Sequence, residues 1–136
     1  MKFVIILIAL AAIALGISYA ISPLRTFDAL VPKDGNARKV ADGAAYGTDE
    51  RQALDIYAPT APDDAPRPVV VFFYGGSWNS GTRHGYNFAG RALASRGFVV
   101  AVPDYRLVPE VRFPTFVQDG AAAVRWVRRN IGQYGG

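Results

Sequence analysis

Apolar residues run almost unbroken from Phe3 to Ile21, relieved only by Gly16 and Ser18, and show no polar face at helical period. At 1.5 Å per residue this stretch reaches roughly 28 Å, close to a bilayer core. Lys2 and the amino terminus put positive charge ahead of it, which favours an N-terminus inside and a domain beyond the membrane. Ser18 and Ala20 also carry the small-residue spacing of a signal peptidase site, so export with cleavage after Ala20 is the alternative. The expected localisation is therefore a membrane-anchored extracytoplasmic domain, or an exported, periplasmic one if the leader is removed. Residues 1–21 are assigned to this anchor or signal, 22–37 to a linker marked by Pro23, Pro32, Gly35 and Asn36, and 38–136 to the folded domain.

The pattern then changes period. Gln52 to Tyr57 alternates polar and apolar side chains and predicts a half-buried strand. Prolines at 59, 62, 66 and 68, with Asp63 and Asp64, make a stiff surface loop. Val69 to Phe73 is a continuous β-branched and aromatic run, the pattern of a strand covered on both faces. Tyr86 to Arg96 has helical spacing, with Gly97 placed for a left-handed cap, and Phe98 to Val102 reads as a second buried strand. Strand, helix and strand in that order specify a crossover unit and the α/β class, with a mostly parallel sheet flanked by helices. A longer helix is predicted from Pro114 to about Tyr134, with Val117, Ala121, Val124, Val127 and Ile131 as its apolar stripe.

Composition narrows the chemistry. The chain lacks cysteine, which excludes a disulfide framework and a thiolate nucleophile, and its one histidine, His84, cannot alone build a metal site. The net charge of +4 comes from scattered arginines, including Arg125, Arg128 and Arg129 on one helix face. No basic run interleaves with aromatics, so nucleic acid is not an expected partner. No lysine follows the glycines at P-loop spacing and no dinucleotide fingerprint is complete, so no cofactor is implied. Nothing in the pattern specifies an oligomeric state.

The informative constellation is Tyr74-Gly75-Gly76-Ser77-Trp78 directly after the first buried strand, with Pro103-Asp104-Tyr105-Arg106-Leu107 after the second. Backbone N–H groups aimed at a developing oxyanion need glycines, because a Cβ blocks both the approach and the dihedrals. A glycine pair after a strand also serves as a plain tight turn; the second motif and Trp78 favour the chemical reading. The arrangement resembles the hormone-sensitive-lipase-like and feruloyl-esterase-like carboxylesterases of the α/β-hydrolase superfamily. In that family the third strand ends in His-Gly-Gly-Gly and the fourth leads into Asp-Tyr-Arg-Leu. The resemblance covers about residues 40–136, with Tyr74 in place of the histidine and Ser77 in place of the third glycine.

The resemblance implies Gly75 and Gly76 as oxyanion-hole amides, Tyr74, Ser77 and Trp78 as substrate contacts, and a small-molecule ester as substrate. It also places the family's histidine late in the chain, so His84 is expected to face solvent or a cleft rim rather than to join a triad. Ser77, Ser80 and Ser95 lack the Gly-x-Ser-x-Gly setting of a nucleophile. The serine, acid and histidine are therefore expected beyond Gly136, the chain itself to be inactive, and the Val69–Phe73 strand to present a hydrophobic edge prone to association. Asp104 and Arg106 read as pairing residues, with either Asp119 or Asp104 a partner for Arg106, and Trp126 reads as core. Two rivals stand beside esterase action: a membrane-tethered binding module of the same fold, and cleavage of an amide, formamide or peptide.

Overall fold

The computed structural model describes residues 2–62 and 64–136; Met1, in the leader, and Asp63, in the proline loop, lie outside the described residues. The chain divides into two compact units, the first ending at Pro32 and the second running Lys33–Gly136.

The first unit contains helix α1, Lys2–Ile21, which has no buried residue and is long and apolar enough to cross a membrane. A second helix follows, α2, Pro23–Leu30, where the sequence pattern suggests only a linker. Its eight residues are too few to show a sustained period, and a helix that short does not nucleate alone. Here the preceding helix supplies the nucleus: the Ser22 N–H bonds Ser18 O at 2.9 Å and the Thr26 N–H bonds Ser22 O at 3.0 Å. The Ser18 and Thr26 hydroxyls meet at 2.8 Å across the junction.

The second unit is built on a four-stranded sheet of order β1-β2-β4-β3: β1 Ala37–Ala45, β2 Ala53–Pro59, β3 Val69–Val71 and β4 Val99–Pro103. β1/β2 and β2/β4 pair antiparallel, and β3/β4 pair parallel. The crossover between β3 and β4 carries a 3-10 turn, Arg83–Tyr86, and helix α3, Asn87–Ala94. The α/β class and the strand–helix–strand unit are as the sequence implies, although within these four strands the sheet is mixed rather than mostly parallel.

Strand period sorts the core into two layers. Leu54, Ile56 and Ala58 of β2 and Val99 and Ala101 of β4 face Val127 and Ile131, the latter just beyond helix α4, Thr115–Asn130. Tyr57, Val100 and Val102 face the other way, toward Ala94 of α3, Tyr74 and Tyr105. Close approach on that side fixes Gly90, since a Cβ there runs into the Tyr57 ring.

Three sequence expectations need correction. β2 is buried on both faces, because its polar position Asp55, 0% exposed, points into the interior instead of to solvent. The predicted five-residue β3 is three residues long and half-buried, with the Phe72 N–H adding one bond to Ala101 O at 2.8 Å and Phe73 exposed. It has one neighbour among the described strands, which is the edge position the sequence implies, and its side chains pack half-buried on both core layers, Val70 on one and Val69 and Val71 on the other. On α4 only the C-terminal part of the predicted stripe, Val127, is buried on the helix, with Ala123 beside it; Val117, Ala121 and Val124 are exposed. Gly97 does adopt the left-handed conformation, φ 98°, that ends the α3 turn.

Candidate active site

The exposed part of α4 and the loop leaving β3 form the walls of a groove of about 880 Å3. Phe73 to Trp78 line one side and Phe116, Val117, Gly120, Ala121 and Val124 the other. The loop backbone is unusual: Gly76, Ser77 and Trp78 have φ of 141°, 51° and 59° in succession. Two consecutive non-glycine residues at positive φ cost on the order of 1–3 kcal/mol each, so their surroundings must over-determine them. They do so through the Gly76 carbonyl, which accepts from the Asn79 N–H at 3.0 Å and the Ser80 hydroxyl at 3.2 Å. The Trp78 carbonyl accepts from the Val108 N–H at 2.8 Å, and the Trp78 ring stacks on Phe116 at 5.2 Å.

This bending leaves a pair of donors unused. Among the described residues, no oxygen of the protein accepts from the N–H of Gly75 or Gly76. Gly75 is exposed, and a Cβ built there meets nothing within 4 Å, whereas one at Gly76 runs into the Ser80 carbonyl oxygen. Gly76 is thus required by the fold of the loop and Gly75 is open to whatever occupies the groove.

The other candidate residues separate. Ser77 and Trp78 are exposed on the groove wall. Tyr74 borders the groove, but its side chain is buried between the rings of Tyr86 and Tyr105, each 5.1 Å away. Its hydroxyl bonds Asp104 and receives Arg51 Nη2 at 3.0 Å. Burial, then the hydrogen bond and charge of Asp104, push the Tyr74 phenol well above its ordinary value, which keeps it a neutral donor. A tyrosine where the resembling family has histidine is therefore a core pin beneath the loop.

Sequence reasoning missed the polar network below this pin. Arg83 Nε donates to Asp55 Oδ1 at 2.8 Å and Arg83 Nη1 to Asp104 Oδ2 at 2.5 Å, joining β2 to the segment that leaves β4. Lys39 Nζ and the Gly43 N–H complete Asp55, at 2.8 Å and 2.9 Å. Burial alone raises the Asp55 carboxyl, and the bonds from Lys39, Gly43 and Arg83 outweigh it, holding the group below its usual range. The one available signal was an acidic residue alternating with apolar ones in a strand; its partner Arg83 lies 28 residues away. Of the two partners the sequence offers Arg106, it is Asp119 that pairs with it, through Nε and Nη2 at 2.9 Å and 2.7 Å.

His84 sits at the rim of a polar cleft, its Nδ1 3.9 Å from Asp55 Oδ2. With Asp42 and Asp55 it forms the one trio of metal-type donors among the described residues. Asp55 is already neutralised by two cations, Lys39 and Arg83, which repel a divalent ion, so the donor set does not suit a metal. Trp126 packs against the α4 side of the core.

Residues 54–136 match the BD-FAE family model. The isoprenylcysteine alpha-carbonyl methylesterase of Arabidopsis thaliana is 35% identical over 100 residues, which take up 74% of this chain and 23% of that protein. Esterase LipC of Mycobacterium tuberculosis is 38% identical over 93 residues, 67% of this chain and 23% of its own length. The chain thus spans about a quarter of the length of these curated relatives. Among solved structures, esterase B from Lactobacillus rhamnosis superposes with a TM-score of 0.79 at 27% identity, over 93% of this chain and 40% of that one. The thermostable carboxylesterase EstE1, cloned from a metagenomic library, gives 0.63 at 27% identity, over 83% and 37%.

Proposed function

Because the chain belongs to the BD-FAE family of α/β-hydrolase esterases, we propose that it contributes the oxyanion hole of a serine carboxylic-ester hydrolase. The observation that carries this reading is the pair of unused amides, Gly75 and Gly76, beside an apolar groove on a loop held in a strained conformation. In the reaction, a serine adds to the ester carbonyl, the Gly75 and Gly76 N–H groups hold the negative oxygen, the alcohol leaves, and water then releases the acid. Serine, acid and histidine are assigned to polypeptide outside these 136 residues, since no serine here stands in a Gly-x-Ser-x-Gly turn. Two features support an ester over a charged substrate: the groove lining is mostly apolar, and its charged member is Arg125 alone.

The test is Gly76→Ala in the full-length polypeptide, assayed with p-nitrophenyl esters. The added Cβ collides with the Ser80 carbonyl and must displace the loop, so kcat is expected to fall on the order of 100-fold, the usual cost of one oxyanion donor. A Gly76→Ala variant with wild-type kcat contradicts the assignment.

A further inference from the structure

A trans peptide sends its carbonyl and its N–H to opposite sides, so a hydrogen bond that fixes one fixes the direction of the other. The peptide between Tyr74 and Gly75 is such a unit, the cis bonds among the described residues lying at Val108-Pro109 and Phe113-Pro114. Its carbonyl accepts a buried hydrogen bond from the Tyr105 hydroxyl at 2.9 Å. The Gly75 N–H is therefore directed away from the Tyr105 hydroxyl, and Gly75 itself is exposed, with open space around a Cβ built on it.

The structure also shows what holds Tyr105 in place. Its ring stacks on Tyr74, and its own carbonyl accepts from Arg51 Nε at 2.7 Å. The Nη2 atom of the same arginine reaches both the Tyr74 hydroxyl at 3.0 Å and the Gly81 carbonyl at 2.9 Å. One guanidinium thus ties together the two ends of the Gly75–Ser80 loop and the tyrosine that orients its first amide. Gly81 has no room for a side chain beside this pin, since a Cβ there lies 2.7 Å from the Tyr74 ring.

We propose that Tyr105 is a positioning residue for the oxyanion donor at Gly75, with Arg51 and Tyr74 as the frame that holds it. The assignment rests on the esterase reading above and deepens it: the Asp-Tyr-Arg segment after β4, whose Tyr105 borders the groove, acts on the reaction through the Tyr74 carbonyl. Removing the hydroxyl frees the peptide to rotate, which weakens a contact made in the transition state and leaves ground-state binding alone.

The experiment compares Tyr105→Phe with wild type in the full-length polypeptide. Expected are a fall in kcat on the order of tenfold, little change in KM, and a parallel loss of affinity for a trifluoromethyl ketone, whose adduct carries the oxyanion. Tyr57→Phe is the control, because it removes another buried hydroxyl, one that bonds Asn87 of α3, and should lower stability while leaving kcat and ketone affinity as they were. Should Tyr105→Phe fail to fold, Arg51→Lys, which keeps the charge and loses the fork, is expected to give the same split. Wild-type kcat and ketone affinity in the foldable variant overturn the assignment. A wild-type polypeptide inert toward all esters overturns the esterase reading and this inference together, whereas an active wild type with an unaffected variant overturns this inference alone.

Discussion

Single residues here have roles that their type does not announce. Tyr74 and Tyr105 are aromatic core members by burial, yet through their hydroxyls they set the loop that presents Gly75 and Gly76. Asp55 and Asp119 are similarly interior carboxylates, 0% and 1% exposed. Burial raises each, and for Asp119 the hydrogen bonds of Arg106 and Gln52 more than offset it, so both are held below the usual carboxylate range. A depressed folded value stabilises the fold fully above the unfolded value of about 4, and that contribution is lost as pH falls through the folded value. The melting temperature is accordingly expected to be level above about pH 5 and to drop steadily below about pH 4, with a lower plateau and a flatter acid limb in Asp119→Asn. A wild-type melting temperature that stays constant down to about pH 2 contradicts this account of the carboxylates. In the sequence, Asp119 was legible as one of two partners for Arg106, with Asp104, because these residues sit in one motif and the next helix. The Asp55–Arg83 pair was not, because nothing local distinguishes an inward carboxylate on a strand from an outward one.

At the scale of elements, periodicity indicated type and order well and burial less well. The β3–α3–β4 unit follows from two apolar runs around a helical pattern. Which face of α4 meets the sheet did not follow, because both an apolar seam and a polar anchor compete for it: Asp119, Ala123 and Val127 are buried, while Val117 and Val124 face the groove. Helix α2 was hidden for the opposite reason, being too short to show a period and dependent on α1 for its first turn. The packing of α3 makes a sharper claim. Its approach to the sheet passes over Gly90, whose missing side chain is filled by the Tyr57 ring. Gly90→Ala gains helix propensity yet is expected to destabilise by about 1–3 kcal/mol, since the ring and the helix must separate. Denaturant unfolding measures this, and a variant as stable as wild type contradicts the packing described.

For the molecule as a whole, the second unit carries a sheet with a half-buried apolar edge strand and a groove whose lining is mostly apolar. The family and the α/β class were legible from two short motifs placed after two strands, because backbone donors, and hence glycines, leave a mark on sequence. The polar frame beneath them left none, because its contacts join β1, β2, β4 and the crossover across long separations. The central claim is that the Gly75 and Gly76 amides receive the oxyanion of an ester reaction. The most direct measurement is a crystal structure of the full-length polypeptide inhibited covalently by an alkyl phosphonate. The account predicts a phosphoryl oxygen within about 3 Å of both the Gly75 and Gly76 nitrogens. A phosphonate bound to the serine with that oxygen held by other donors, and these two amides facing solvent, contradicts it.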